Sequence, residues 1–129
     1  MYNDLIGIPF DEHGDSKKGT NCYNLLRMAY AKHDIHIPAT NISVCACTEV
    51  SNREIQDNVV QYWEPILTPG GLCGVLLLST NPDFANHIGF YVGGNRMLHI
   101  TKNTNSVIER MYPKYENKII GFYKFTGGK

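Results

Sequence analysis

Apolar and polar positions along this chain follow two periods, one of about 3.6 residues near the start and one of two residues towards the end. From Asn21 onward, Cys22, Leu25, Leu26, Ala29 and Tyr30 fall at i, i+3, i+4, i+7 and i+8, the apolar stripe of an amphipathic helix. Thr20 or Asn21 suits its N-cap, and the run ends near His33-Asp34, ahead of Ile35-His-Ile-Pro38. Before it, Leu5-Ile-Gly-Ile-Pro-Phe10 is a short apolar element, and residues 11–20 read as a polar, Gly-containing loop. Residues 42–47 suit a short extended stretch. Ser51-Asn-Arg-Glu54 matches a capping box, and Ile55, Val59, Tyr62 and Trp63 continue at helical spacing until Pro65 ends a second helix.

The period then changes to two. Pro69-Gly-Gly-Leu72 turns into the nearly all-apolar strand Cys73-Gly-Val-Leu-Leu-Leu78, and Asn81-Pro82 turns again. Ile88, Phe90 and Val92 alternate with His87, Gly89 and Tyr91, while Leu98 and Ile100 alternate with Met97 and His99, so residues 87–100 read as a β-hairpin with a histidine on each arm. Residues 106–111 and 119–125 close the chain as two further strands. The layout is α+β, with N-terminal helices packed on an antiparallel sheet of about five short strands in one domain, 1–129. No repeat or low-complexity segment interrupts it.

Strand parity makes a sharp demand on the hairpin. His87 and His99 share a face only if the connecting loop holds an odd number of residues. A three-residue loop at 93–95 pairs Val92 with Arg96 and Gly89 with His99, and sets the imidazoles beside a glycine that leaves them room. The plainer alternative is a pair of unrelated histidines hydrogen-bonded on a sheet surface.

Twelve basic and twelve acidic residues cancel, which leaves no electrostatic footprint for nucleic acid and no polybasic patch for an anionic membrane. No apolar run is long enough for a membrane helix. The N-terminal residues lack the basic and apolar regions of a signal peptide, so the expectation is synthesis in a cytosol. At 129 residues the chain suits a single core that buries about two thirds of the unfolded surface. Its four cysteines are too few for a disulfide scaffold and read as thiols. Cys45 and Cys47, with His33 and His36, are the only set with a metal-like spacing. That pair is tight for one tetrahedral ion and an alternating strand accounts for it, so no metal or other cofactor is expected.

Cys22 is the best-placed nucleophile. In the first turn of a helix the macrodipole favours an anion and lowers a thiol pKa. The alternative is a small residue buried on an apolar stripe. A helix-terminal cysteine against a strand histidine makes a thiolate and imidazolium pair, which casts Cys22 as nucleophile, His87 as base and His99 as the group that orients His87. The Cys22 backbone N–H is a natural oxyanion donor.

Taken together, these residues resemble the NlpC-type cell-wall peptidases, papain-like cysteine enzymes. Gly7-Ile-Pro-Phe10, Gly14 and Asn21-Cys-Tyr-Asn-Leu25 stand where that family has Gly-x-Pro-Tyr, a glycine loop and Asp-Cys-Ser-Gly-Leu. Ile35-His-Ile-Pro38 resembles the family's helix exit and Pro69-Gly-Gly-Leu72 its Pro-Gly-Asp-Leu turn; His87-Ile-Gly-Phe-Tyr-Val-Gly resembles its His-Val-Gly-Ile-Tyr-x-Gly strand, with His99 at the third catalytic position. The resemblance implies a papain-like fold and cleavage of a peptide bond in peptidoglycan stem peptides, usually the one joining D-glutamate to a diamino acid. The aromatic after the cysteine and the Leu25-Leu-Arg-Met-Ala-Tyr30 that follows look more like the bacteriophage tail-associated branch, which implies other tail proteins as partners and delivery to the wall by a virion or a separate export route. Because the cysteine precedes both histidines, the chain is unlike the permuted relatives that act as lipid acyltransferases.

Three departures bear on activity. Phe10 replaces a tyrosine whose hydroxyl assists the oxyanion in the family, and losing such a donor costs about 10²-fold to 10³-fold in rate. Asn21 and Asn24 replace an aspartate and a glycine, so the substrate neighbourhood formed by Phe10, Asn21, Tyr23 and Gly89 differs from the family pattern. A tail component that keeps the fold with weak or lost chemistry is the competing expectation.

Overall fold

The computed structural model describes residues 1–38, 63–78, 85–101 and 104–127. A 3-10 turn, Asn3–Leu5, leads to the ribbon β1 (Asp15–Ser16) and β2 (Gly19–Thr20), and then to helix α1 (Cys22–Ala31). Strands β3 (Trp63–Ile66), β4 (Gly74–Leu78), β5 (Ala85–Gly93), β6 (Arg96–His99), β7 (Val107–Arg110) and β8 (Ile119–Phe125) form one antiparallel sheet in the order β3-β8-β4-β5-β6-β7. This is the expected α+β arrangement with six strands in place of about five. The second helix and the extended stretch at 42–47 lie outside the described residues.

α1 begins where the stripe begins. Asn21 is its N-cap: the backbone is extended and Oδ1 accepts from the Asn24 N–H at 2.8 Å. It ends as His33 N–H and Asp34 N–H close back on Tyr30 and Ala31, with Asp34 in the left-handed region at φ 60°. Leu25, Leu26, Ala29 and Tyr30 are buried against Ile88, Phe90, Leu98 and Ile100, the helix-facing residues of the β5–β6 arms. Each of the leucine, isoleucine and phenylalanine side chains among them contributes about 2 kcal/mol of apolar burial. Tyr30 meets Phe90 edge-on at 5.3 Å and Trp63 at 5.6 Å. A second cluster of Val75, Leu77, Met97, Met111 and Phe122 packs on the opposite sheet face, as strand alternation requires.

Three local expectations are corrected. Trp63 does not end a helix; it opens β3, and Pro65 pairs with Tyr123 within that strand. Because β3 is an edge strand, a proline costs it no ladder bond on the outer side, and the strand buries Trp63 against Tyr30 and Phe125. Within residues 11–20, the chain folds back on itself as β1 and β2, which hold Gly14 so near Gly19 that a Cβ there would lie 2.2 Å from the Gly19 carbonyl oxygen.

The β5–β6 turn is the third. Gly93, not Val92, pairs with Arg96 across a two-residue Gly94-Asn95 turn. Both turn residues have positive φ, 61° and 63°, which matches the right-handed twist of the arms. The ladder then shifts by one residue between Tyr91 and Gly93, where Gly93 has φ 94°, so that Tyr91 pairs with Met97 and Phe90 with Leu98. Turn and bulge together give the odd offset that one three-residue loop was expected to supply.

Candidate active site

Continuing that register sets Gly89 opposite His99, where a Cβ on Gly89 would lie 3.1 Å from Met97 Sδ and 3.4 Å from His99 Cβ. The glycine leaves space that Met97 and the stem of His99 take up. His87 Nε2 and His99 Nδ1 are 2.9 Å apart, a hydrogen bond between buried imidazoles 9% and 2% exposed. The two histidines thus share a face, as parity demanded.

A residue missed in the sequence extends the pair. Glu109, on β7, accepts at Oε2 from His99 Nε2 at 2.6 Å and from the Tyr115 hydroxyl at 2.7 Å, and at Oε1 from Lys114 Nζ at 2.7 Å. It lies diagonally from His99, since β6 and β7 pair Met97 with Glu109 and His99 with Val107. A diagonal neighbour is within reach of a long side chain. The signal was present: Glu109 shares strand parity with Met111, so an acid stands on a core-facing position, where an unpaired charge is rare. Three adjacent strands, β5, β6 and β7, thereby carry a continuous chain from His87 through His99 to Glu109.

The electrostatics follow from burial and partners. Burial, and after it the neighbouring His99, push His87 below the ordinary imidazole range, while Glu109 pulls it upward. Burial likewise lowers His99, opposed by its bond to Glu109. For Glu109 burial acts upward, but the hydrogen bonds from Lys114, Tyr115 and His99 outweigh it and hold the carboxyl down at about 2. At neutral pH these surroundings favour two neutral rings ending on an ionised carboxylate.

Cys22 is the first residue of α1, at the positive end of the helix, and is 1% exposed within the helix-facing cluster. The segment before it is tied to the sheet end that carries the histidines. Phe10 bridges Thr20 and donates its N–H to the Thr104 carbonyl, and Pro9 bridges Asn105, all next to the stretch leaving His99. Phe10 is half-buried and packs against the same cluster. Asn21 Nδ2 donates to the Glu12 carbonyl at 2.8 Å and Asn24 Nδ2 to that of Gly14 at 2.9 Å, so the two asparagines pin the loop to the helix start. The Tyr23 hydroxyl donates to the Pro38 carbonyl at 3.2 Å, and the Tyr2 hydroxyl meets His33 Nε2 at 2.6 Å. Of the cysteine–histidine set with metal-like spacing, His33 is thus engaged by Tyr2, and Cys45 and Cys47 lie outside the described residues. Cys73 is fully buried, and burial pushes its thiol pKa up, as a packing residue requires. Among the described residues no helix is long and apolar enough to cross a membrane.

The NlpC/P60 family model matches residues 7–122, nearly the whole chain. The chain belongs to the NlpC/P60 family. Members of this family are generally cell-wall peptidases, typically cysteine peptidases. Among solved structures, a lipoprotein-like NLP/P60 protein from Staphylococcus aureus shares 18% identity at a TM-score of 0.63 and is matched over 93% of this chain and 37% of its own. An NlpC/P60 protein from Bacillus cereus shares 18% at 0.61, over 95% and 37%, and NlpC1 from Trichomonas vaginalis 17% at 0.53, over 97% and 39%. These likenesses establish the papain-like α+β fold. The chain spans less than two fifths of the length of these three proteins. No curated protein sequence matches it.

Proposed function

We propose that this chain is a cysteine endopeptidase that hydrolyses a peptide bond in peptidoglycan stem peptides. Cys22 Sγ attacks the scissile carbonyl as His87 takes its proton; His87 then protonates the leaving amine, and water guided by the same ring resolves the acyl-enzyme. The Cys22 backbone N–H at the helix start serves the oxyanion. The observation that carries this reading is the buried 2.9 Å bond between His87 and His99 at the sheet end to which the Cys22 helix start is tied. Ile88, Phe90, Leu98 and Ile100 face α1, so the imidazoles project from the alternate positions, and this reading requires the thiol to reach them around the strand ends, where the helix begins.

Digestion of purified sacculi, with fragments weighed by mass spectrometry, tests the reading. Cys22→Ala is expected to abolish muropeptide release, and retained release would remove the mechanism. Iodoacetamide should label Cys22 well below the ~8.5 midpoint of an ordinary thiol. A second reading, a bacteriophage tail component that keeps the fold without chemistry, is favoured by two features. Cys22 is 1% exposed, and Phe10 offers no hydroxyl where the family has one. In that case no iodoacetamide-sensitive hydrolysis is seen and Cys22 alkylates no faster than a plain thiol. Delivery to the wall by a virion or a separate export route belongs to the same proposal.

A further inference from the structure

We propose that Glu109 is a positioning residue for the Cys22–His87 reaction: through His99, its carboxylate fixes the one tautomer of His87 that leaves Nδ1 bare to take the thiol proton. The inference rests on the reading of Cys22 and His87 as nucleophile and base. It extends the machinery to a third strand.

The argument is one of donor and acceptor counting. An ionised carboxylate only accepts, so the 2.6 Å contact from His99 Nε2 to Glu109 Oε2 requires the proton to sit on Nε2. A neutral His99 then has a bare Nδ1. That atom lies 2.9 Å from His87 Nε2 and must accept from it, which places the His87 proton on Nε2 and leaves His87 Nδ1 as a lone pair. With Glu109 neutral or replaced, the order of donors along the chain is no longer dictated and His87 is free to carry its proton on Nδ1, where it cannot act as a base. Lys114 Nζ and the Tyr115 hydroxyl, both donating to Glu109, keep the carboxylate ionised and its plane fixed.

The same carboxylate acts on the charge that catalysis creates. When the Cys22 S–H bond breaks, the electron pair stays on sulfur and the proton forms the N–H bond at His87 Nδ1. The resulting imidazolium is penalised by burial and by the neighbouring ring, and Glu109 is the group on the sheet that favours it. The chain consists of His87 on β5, His99 on β6 and Glu109 on β7, with Lys114 and Tyr115 after β7 donating to Glu109. Of these, Glu109 alone supplies a fixed negative charge. A role confined to anchoring the 111–118 segment through Lys114 and Tyr115 would leave the imidazole tautomers untouched.

Two-bond nitrogen–proton correlation spectra of the ¹⁵N-labelled chain read the tautomers directly. At pH 7 both rings are expected to carry the proton on Nε2, and Glu109→Gln is expected to give His87 a mixture. A His87 protonated on Nδ1 in the unaltered chain overturns the proposal without any variant; identical tautomers in folded Glu109→Gln overturn it too. The pH profile of Cys22 alkylation is the second readout. Glu109→Gln should raise its midpoint by about one pH unit, about tenfold slower labelling at any pH below the midpoint of the unaltered chain. If the unaltered chain labels readily at low pH and Glu109→Gln does the same, this inference fails and the peptidase reading stands. If the unaltered chain labels as an ordinary thiol while its tautomers respond to Glu109, the peptidase reading fails and the positioning of the imidazoles stands.

Discussion

Removing one hydroxyl, in Ser106→Ala, tests how the N-terminal segment is held to the sheet. Ser106 is 2% exposed, and its Oγ accepts from the Ile8 N–H at 2.8 Å and donates to the Leu5 carbonyl at 2.6 Å. Its backbone pairs with the same segment, donating to Ile8 and accepting from Gly7. Those backbone bonds survive the substitution, so the perturbation is confined to one buried donor and one buried acceptor left without partners. Each orphaned group costs about 1–3 kcal/mol. The space vacated by one oxygen is at the lower limit for a water, so solvent does not restore both bonds. A loss of about 2–6 kcal/mol follows, a large share of the roughly 5–15 kcal/mol that holds such a domain together. Urea unfolding followed by the fluorescence of Trp63, the single tryptophan, reads this as a lower midpoint at unchanged slope. The melting temperature should drop on the order of 10 °C. A loss under about 0.5 kcal/mol would refute the reasoning, since it would mean that both backbone groups find other partners at no cost.

Gly89→Ala drives a methyl to 3.1 Å from the fully buried Met97 Sδ and 3.4 Å from His99 Cβ. We expect about 1–2 kcal/mol of destabilisation and a loosened His87–His99 bond, seen as slower muropeptide release per folded molecule; unchanged turnover would contradict the tight fit. Acid should destabilise the chain in two stages. His87 and His99 are held below 6.5 when folded, so the unfolded chain binds more protons beneath about pH 6.5 and stability falls from there as pH drops. Glu109, lowered from 4.5 to about 2, adds a loss that starts below about pH 4.5 and completes as pH passes its folded value. Urea midpoints between pH 4 and 8 check the first stage. His87→Gln should flatten that slope, and a pH-independent midpoint in the unaltered chain would sink the claim.

Much of the fold was written in local pattern. The stripe from Cys22 to Tyr30, capped by Asn21, became α1 because helix period and capping act over a few residues. The alternation around His87 and His99 became β5 and β6 for the same reason, and parity carried far enough to put both rings on one face. Trp63 was misjudged because its strand exists only through pairing with β8, some sixty residues later, and no local signal outweighs the burial gained there.

The sequence by itself determined the period of each element and the position of the thiol at a helix start, since each depends on spacing along a single strand or helix; the common face of the two imidazoles it made conditional on an odd offset, which turn and bulge together supplied. Only the tertiary structure decided that Glu109 closes on His99, that Lys114 and Tyr115 hold that carboxylate, and that Asn21 and Asn24 bind the loop to the helix. Those contacts join separate strands and loops, and their geometry is set by strand order and register, which packing of the whole sheet fixes and no short stretch encodes.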